Sequence, residues 1–141
     1  MQAMSLKKPI KNVGIPILEQ TVAAGFPNPC EEFIVAPISL DKLLIKRHSS
    51  TFLVRVNGLS MTPTIPCGSI LVVDKSINAK NNNVVVAVVD NEFIVKEFLE
   101  NVDGFPTLHS HNSDYSDIII NESNQERAQI WGVVTSFIKQ F

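Results

Sequence analysis

No apolar run in this 141-residue chain exceeds six residues, and the longest is Val84 to Val89. A bilayer-spanning helix needs about 20 mostly apolar residues, so no segment qualifies. Beyond residue 50 the apolar residues fall in short groups rich in Val, Ile and Phe, separated by Gly, Asn, Asp and Pro. β-branched and aromatic residues favour a pleated surface and these separators favour turns, which together predict an antiparallel sheet protein. The expected strands are Phe52 to Val56, Ile70 to Asp74, Val84 to Val89, Phe93 to Phe98, Thr107 to Ser110, Asp117 to Asn121 and Ile130 to Lys139. Asp90-Asn91-Glu92 is short enough to join the third and fourth as a hairpin. Leu40, Leu43 and Leu44 recur at helical spacing behind Ser39, a suitable N-cap, and predict one helix of about two turns over Ser39 to Lys46.

The first 29 residues read differently. Pro9, Pro16, Pro27 and Pro29, with Gly14 and Gly25, deny long helices and remove ladder donors, so residues 1–30 are expected to form an extended arm before a domain over 31–141. Lys7, Lys8 and Lys11 precede Val13 to Leu18, but Gly14 and Pro16 interrupt that stretch and Glu19-Gln20 follows it. It lacks the apolar length of a secretory signal, which favours a cytoplasmic protein. The chain is 45% hydrophobic and 18% charged, a globular composition with a net charge of −2. No broad basic field is available to grip nucleic acid directly. Cys30 and Cys67 are too few for a disulfide framework and are read as free thiols.

Two residues suggest chemistry. Ser60 lies in Val56-Asn57-Gly58-Leu59-Ser60-Met61, where a strand ends in a Pro-punctuated loop. Thr62 stands where a G-x-S-x-G elbow requires glycine, so an α/β-hydrolase site is not supported. Period-two alternation puts Lys96 on one strand face with Glu92, Ile94 and Phe98. Desolvation there lowers a lysine pKa, and a neutral amine can take the proton of a serine hydroxyl. The residues alone leave a second reading open: Ser60 as a turn serine, and Lys96 as a solvated edge-strand lysine snorkelling over its neighbours. His109-Ser110-His111, near Asp114 and Asp117, lacks a third His or a Cys to complete a metal site, and no metal is expected. Trp131 reads as a core or interface anchor.

Val56-Asn57-Gly58-Leu59-Ser60-Met61, Pro66-Cys67-Gly68-Ser69-Ile70-Leu71-Val72-Val73-Asp74 and Phe93-Ile94-Val95-Lys96, in that order, resemble the LexA/UmuD family of self-cleaving serine peptidases (peptidase S24). Ala24-Gly25-Phe26-Pro27-Asn28-Pro29 and Asn112-Ser113-Asp114-Tyr115-Ser116 place the likeness on the UmuD-like side, over roughly residues 21 to 138. Leu59 and Ser69 depart from the small or acidic residue and the aspartate common at those positions. The resemblance implies a mainly β peptidase domain of short antiparallel strands with one short helix. It implies Ser60 as nucleophile, Lys96 as general base, Ala24-Gly25 as scissile bond and the backbone N–H groups of Leu59 and Ser60 as oxyanion donors, with no cofactor. It also implies a homodimer of the SOS response, stimulated by a RecA filament on single-stranded DNA. The processed form would serve a UmuC-like Y-family polymerase in translesion synthesis, without sequence-specific DNA binding of its own. A non-cleaving dimeric interaction module of the same fold is the alternative, and a signal-peptidase-like enzyme ranks last for want of a membrane anchor.

Overall fold

The computed structural model describes residues 14–18 and 34–141, so Ala24-Gly25 and Cys30 lie outside the described residues. The chain divides into two units at Leu44/Ile45, whereas composition placed the boundary near residue 30.

In the first unit β1 (Ile15–Leu18) pairs antiparallel with β2 (Ile34–Ile38). The prolines had argued against strands here. Ile15 pairs Ile38 and Ile17 pairs Val35, so Pro16 faces two residues of the other strand in a bulge, where a missing donor costs nothing. A Cβ on Gly14 would stand 2.7 Å from the Pro37 Cβ, and only glycine permits that approach. The helix α1 covers Leu40–Leu44, shorter than expected, with the Leu43 N–H donating to the Ser39 carbonyl at 2.9 Å. Five residues close little more than one turn, too few to hold a helix against fraying without packed neighbours.

The second unit carries all seven expected strands: β3 (Thr51–Arg55), β4 (Ile70–Asp74), β5 (Val84–Val89), β6 (Glu92–Glu100), β7 (Pro106–His109), β8 (Ile118–Ile119) and β9 (Ala128–Ile138). They form one antiparallel sheet in the order β3-β4-β9-β5-β6-β7-β8. Val89 pairs with Glu92, leaving Asp90 (φ 50°) and Asn91 (φ 67°) as a two-residue turn. Both central residues at positive φ match the right-handed twist of a hairpin, and Asp and Asn tolerate that region. Strand β8 is shorter than expected because Asp117 bonds to the preceding loop and Asn121 accepts from the Ser123 N–H and hydroxyl in a turn.

Strand β9 lies between β4 and β5 and bulges towards each, leaving Thr135 and Trp131 without cross-strand partners in the two ladders. Such bulges sharpen the twist, and the sheet wraps over two apolar clusters. One contains Val56, Met61, Ile65, Leu71, Val73 and Val86, and the other Val85, Ala87, Leu108, Ile120 and Val133. Strand β5, central in the order, thus feeds one cluster with Val86 and the other with Val85 and Ala87, which accounts for its unbroken apolar sequence. Trp131 packs against Phe52 and Phe93, with ring centroids 5.2 and 5.5 Å away, and Lys75 Nζ stands 4.8 Å from its ring. Among the described residues no helix is long and apolar enough to cross a membrane.

Candidate active site

Ser60 belongs to a loop held at both ends. At its base the Val56 N–H donates to the Ser69 carbonyl at 2.9 Å, and the Gly68 N–H donates to the Val56 carbonyl at 2.7 Å. Gly68 has φ 89°, which a side chain would strain. In the middle, Met61 and Ile65 are each 2% exposed and pin the loop into the first cluster. Ser60 itself stays half-buried, and its Oγ donates to the Val95 carbonyl at 3.4 Å. Neither the Leu59 nor the Ser60 N–H donates a hydrogen bond among the described residues. Their carbonyls are engaged: Leu59 by the Thr62 N–H at 3.1 Å and Ser60 by the Asn112 N–H at 2.9 Å.

Lys96 lies on β6, which is paired on both sides, to β5 and to β7. The edge-strand reading of this lysine therefore fails. Its residue exposure is 6%, among partly buried Ile94 and Phe98. Burial in this apolar setting pushes the ammonium below the usual lysine pKa, while the Asp117 carboxylate pulls it back up. Nζ donates to Ser110 Oγ at 2.6 Å and lies 5.7 Å from the centre of the Tyr115 ring. Ser60 and Lys96 line one cleft of about 320 Å³, walled by Val54, Leu59, Phe93 and Tyr115. The lysine is thus brought to the serine's cleft, with its hydrogen bond made to Ser110.

The two histidines point to carboxylates. His109 Nδ1 is 2.8 Å from Asp117 Oδ1, and His111 bridges Thr64 Oγ1 at 2.8 Å and Glu97 Oε1 at 3.0 Å. No group of three or more His, Cys, Asp or Glu able to hold a metal occurs among the described residues. Asp114 is engaged elsewhere, its N–H donating to Asn112 Oδ1 at 3.0 Å, and the carboxylate beside His109 is that of Asp117.

Three residues at the site escaped sequence reasoning. Asn112 ties the loops together, its Nδ2 donating to the Leu59 carbonyl and to Thr62 Oγ1, both at 3.0 Å. Ser110 holds Lys96, and Asp117 accepts the Ser110 N–H at 3.0 Å. For Ser110 the one signal is register: Glu97 pairs with His109, and one step further along the two strands Lys96 meets Ser110.

Residues 16–135 match the family described as Peptidase S24-like. Protein MucA of Salmonella typhimurium and its Escherichia coli counterpart are each 38% identical over 122 residues, covering 86% of this chain and 82% of theirs. Protein SamA of Salmonella typhimurium is 30% identical over 141 residues, covering 94% of this chain and 89% of its own. The LexA repressor of Actinobacillus succinogenes is 34% identical over 127 residues, and the match takes in 89% of this chain but 59% of the repressor. With a family match over most of its length and relatives aligned nearly end to end, the chain belongs to the Peptidase S24-like family.

Proposed function

We propose that this protein is a self-cleaving serine peptidase that cuts its own chain between Ala24 and Gly25 with a Ser60/Lys96 dyad. The observation that carries the reading is a buried, desolvated lysine in the same cleft as a loop serine. Neutral Lys96 takes the Ser60 proton as Oγ bonds to the Ala24 carbonyl carbon. The developing oxyanion faces the N–H groups of Leu59 and Ser60, which have no other acceptor among the described residues. The bond to Gly25 breaks as Lys96 returns the proton to the departing amine. Water then opens the ester, giving up a proton to Lys96 that passes back to Ser60. The products are a 24-residue segment ending in a carboxylate and a piece of 141 − 24 = 117 residues.

The biological setting rests on the resemblance to the LexA/UmuD family, with the MucA match over most of both chains in support. In that setting the protein is a cytoplasmic homodimer of the SOS response. A RecA filament on single-stranded DNA stimulates its cleavage, and the product assists a UmuC-like Y-family translesion polymerase. A net charge of −2 fits a protein that meets DNA through these partners. One observation favours the non-cleaving dimeric module: Lys96 Nζ is bonded to Ser110 and Ser60 Oγ to the Val95 carbonyl, not to each other.

Intact-mass measurement of the purified protein from pH 7 to 10 separates the two. The peptidase yields the 117-residue product at a rate that rises with pH, and Ser60→Ala or Lys96→Ala slows it by about 10³-fold or more. The same cleavage in either variant sinks the dyad. An intact wild type, even with RecA, nucleotide and single-stranded DNA, establishes the interaction module.

A further inference from the structure

A lysine side chain has four rotatable bonds, so an amine that must meet a serine proton needs something to hold it. In the cleft of Lys96 the holding group is a hydroxyl. Ser110 is 4% exposed and stands across from Lys96 where the β6–β7 ladder ends. Its Oγ is 2.6 Å from Nζ, and its other partner is the Ser116 carbonyl at 3.4 Å. A carbonyl only accepts, so the hydroxyl hydrogen points to Ser116 and a lone pair points to the lysine. Towards Lys96, Ser110 is then an acceptor. A neutral amine that donates one N–H to Ser110 keeps its own lone pair free for another proton. Ser110 is itself fixed, because its N–H is tied to Asp117 Oδ1 at 3.0 Å and Asp117 is engaged by His109.

We propose that Ser110 is a positioning residue for Lys96: its oxygen holds the amine at one place in the cleft shared with Ser60. The assignment rests on the proposed dyad. It makes a paired forecast. Without the hydroxyl, the buried ammonium loses an acceptor and gives up its proton at lower pH. The same amine also gains rotational freedom, so the fully deprotonated enzyme is slower. The other ionisable groups around Lys96 leave this sign intact. Asp117 and its partner His109 remain, Tyr115 presents its ring face, and Val85 opposite on β5 carries no charge. Glu97, next along β6, is engaged by His111.

The test compares wild type, Ser110→Ala and Ser110→Thr by intact mass from pH 6 to 11. In parallel, the Lys96 titration is followed by NMR of 13Cε-labelled lysine in a Ser60→Ala background, where no cleavage intervenes. In Ser110→Ala the limiting rate is expected to fall about 10- to 100-fold. The Lys96 midpoint is expected to move down by about one pH unit. Ser110→Thr, which keeps an oxygen at the same place, stays within about twofold in rate and retains the wild-type midpoint. A wild-type midpoint in Ser110→Ala overturns the inference, as does a Ser110→Thr protein displaced as far as Ser110→Ala. Failure of the dyad has a different signature, cleavage that persists in Lys96→Ala, and the NMR midpoint reports on Ser110 regardless.

Discussion

Burial sets the Lys96 ammonium against the stability of the domain that holds it. Its folded pKa lies below that of the unfolded chain because desolvation disfavours the charged form. The unfolded state therefore binds the proton more tightly, and the cost of burial is fully present below the folded midpoint. It is relieved as pH rises from there towards the ordinary lysine value of 10.5. Lys96→Met, similar in length and uncharged, is expected to be more stable than wild type at pH 7 by about 1 kcal/mol. Calorimetric melts at pH 7 and 10 check this: the gain should shrink at the higher pH, and a less stable variant would contradict the account. Ser60 and Lys96 could be picked out in the sequence as candidates because each sits in a local pattern, a glycine-punctuated loop and an alternating strand, but their proposed roles came from the resemblance to the LexA/UmuD family. Ser110, Asn112 and Asp117 were not, because their roles come from register and loop contact between segments distant along the chain.

Strand β9 shows how tightly one element can be specified. A Cβ on Gly132 would stand 2.6 Å from Val73 Cγ1, and Val73 is fully buried with a stiff branched side chain. Gly132→Ala must displace that valine, and a loss of about 1–3 kcal/mol in denaturant unfolding is expected. At the end of β4, Asp74 accepts from the Ser76 hydroxyl and N–H and from the Ser50 hydroxyl, with Arg47 nearby. The Ser76 and Ser50 bonds, more than Arg47, lower its carboxyl to about 2. Because that value is below the unfolded 3.8, Asp74 stabilises the fold above pH 3.8 and ceases to do so as pH falls towards 2. Asp74→Asn should therefore melt lower than wild type at pH 5, with the difference narrowing by pH 2. The strands of the second unit could be read from β-branched runs between turn residues. The β1–β2 ribbon could not, since prolines that forbid an interior strand are harmless at a bulge in a ribbon made only of edges.

At the scale of the molecule, both apolar clusters and the Ser60/Lys96 cleft lie within residues 45–141. A fragment Ile45–Phe141 is expected to fold alone, with one cooperative thermal transition and wild-type near-ultraviolet circular dichroism; a molten spectrum would show that the first unit is required. The 117 residues that the proposed cleavage would leave contain this whole unit, so a cut at Ala24-Gly25 would leave its core untouched. The final strand, whose Trp131 was read from the sequence as a core or interface anchor, is divided along its length. Its middle, Gly132 and Val133, belongs to the core, while Phe137 remains 41% exposed. The double membership of β5 has a kinetic corollary. Because Val86 closes one cluster and its neighbours Val85 and Ala87 the other, neither cluster can open while β5 stays in place. The backbone amides of Val85 to Ala87 should then exchange with deuterium only through global unfolding, at one shared and slowest rate, while the exposed turns exchange first.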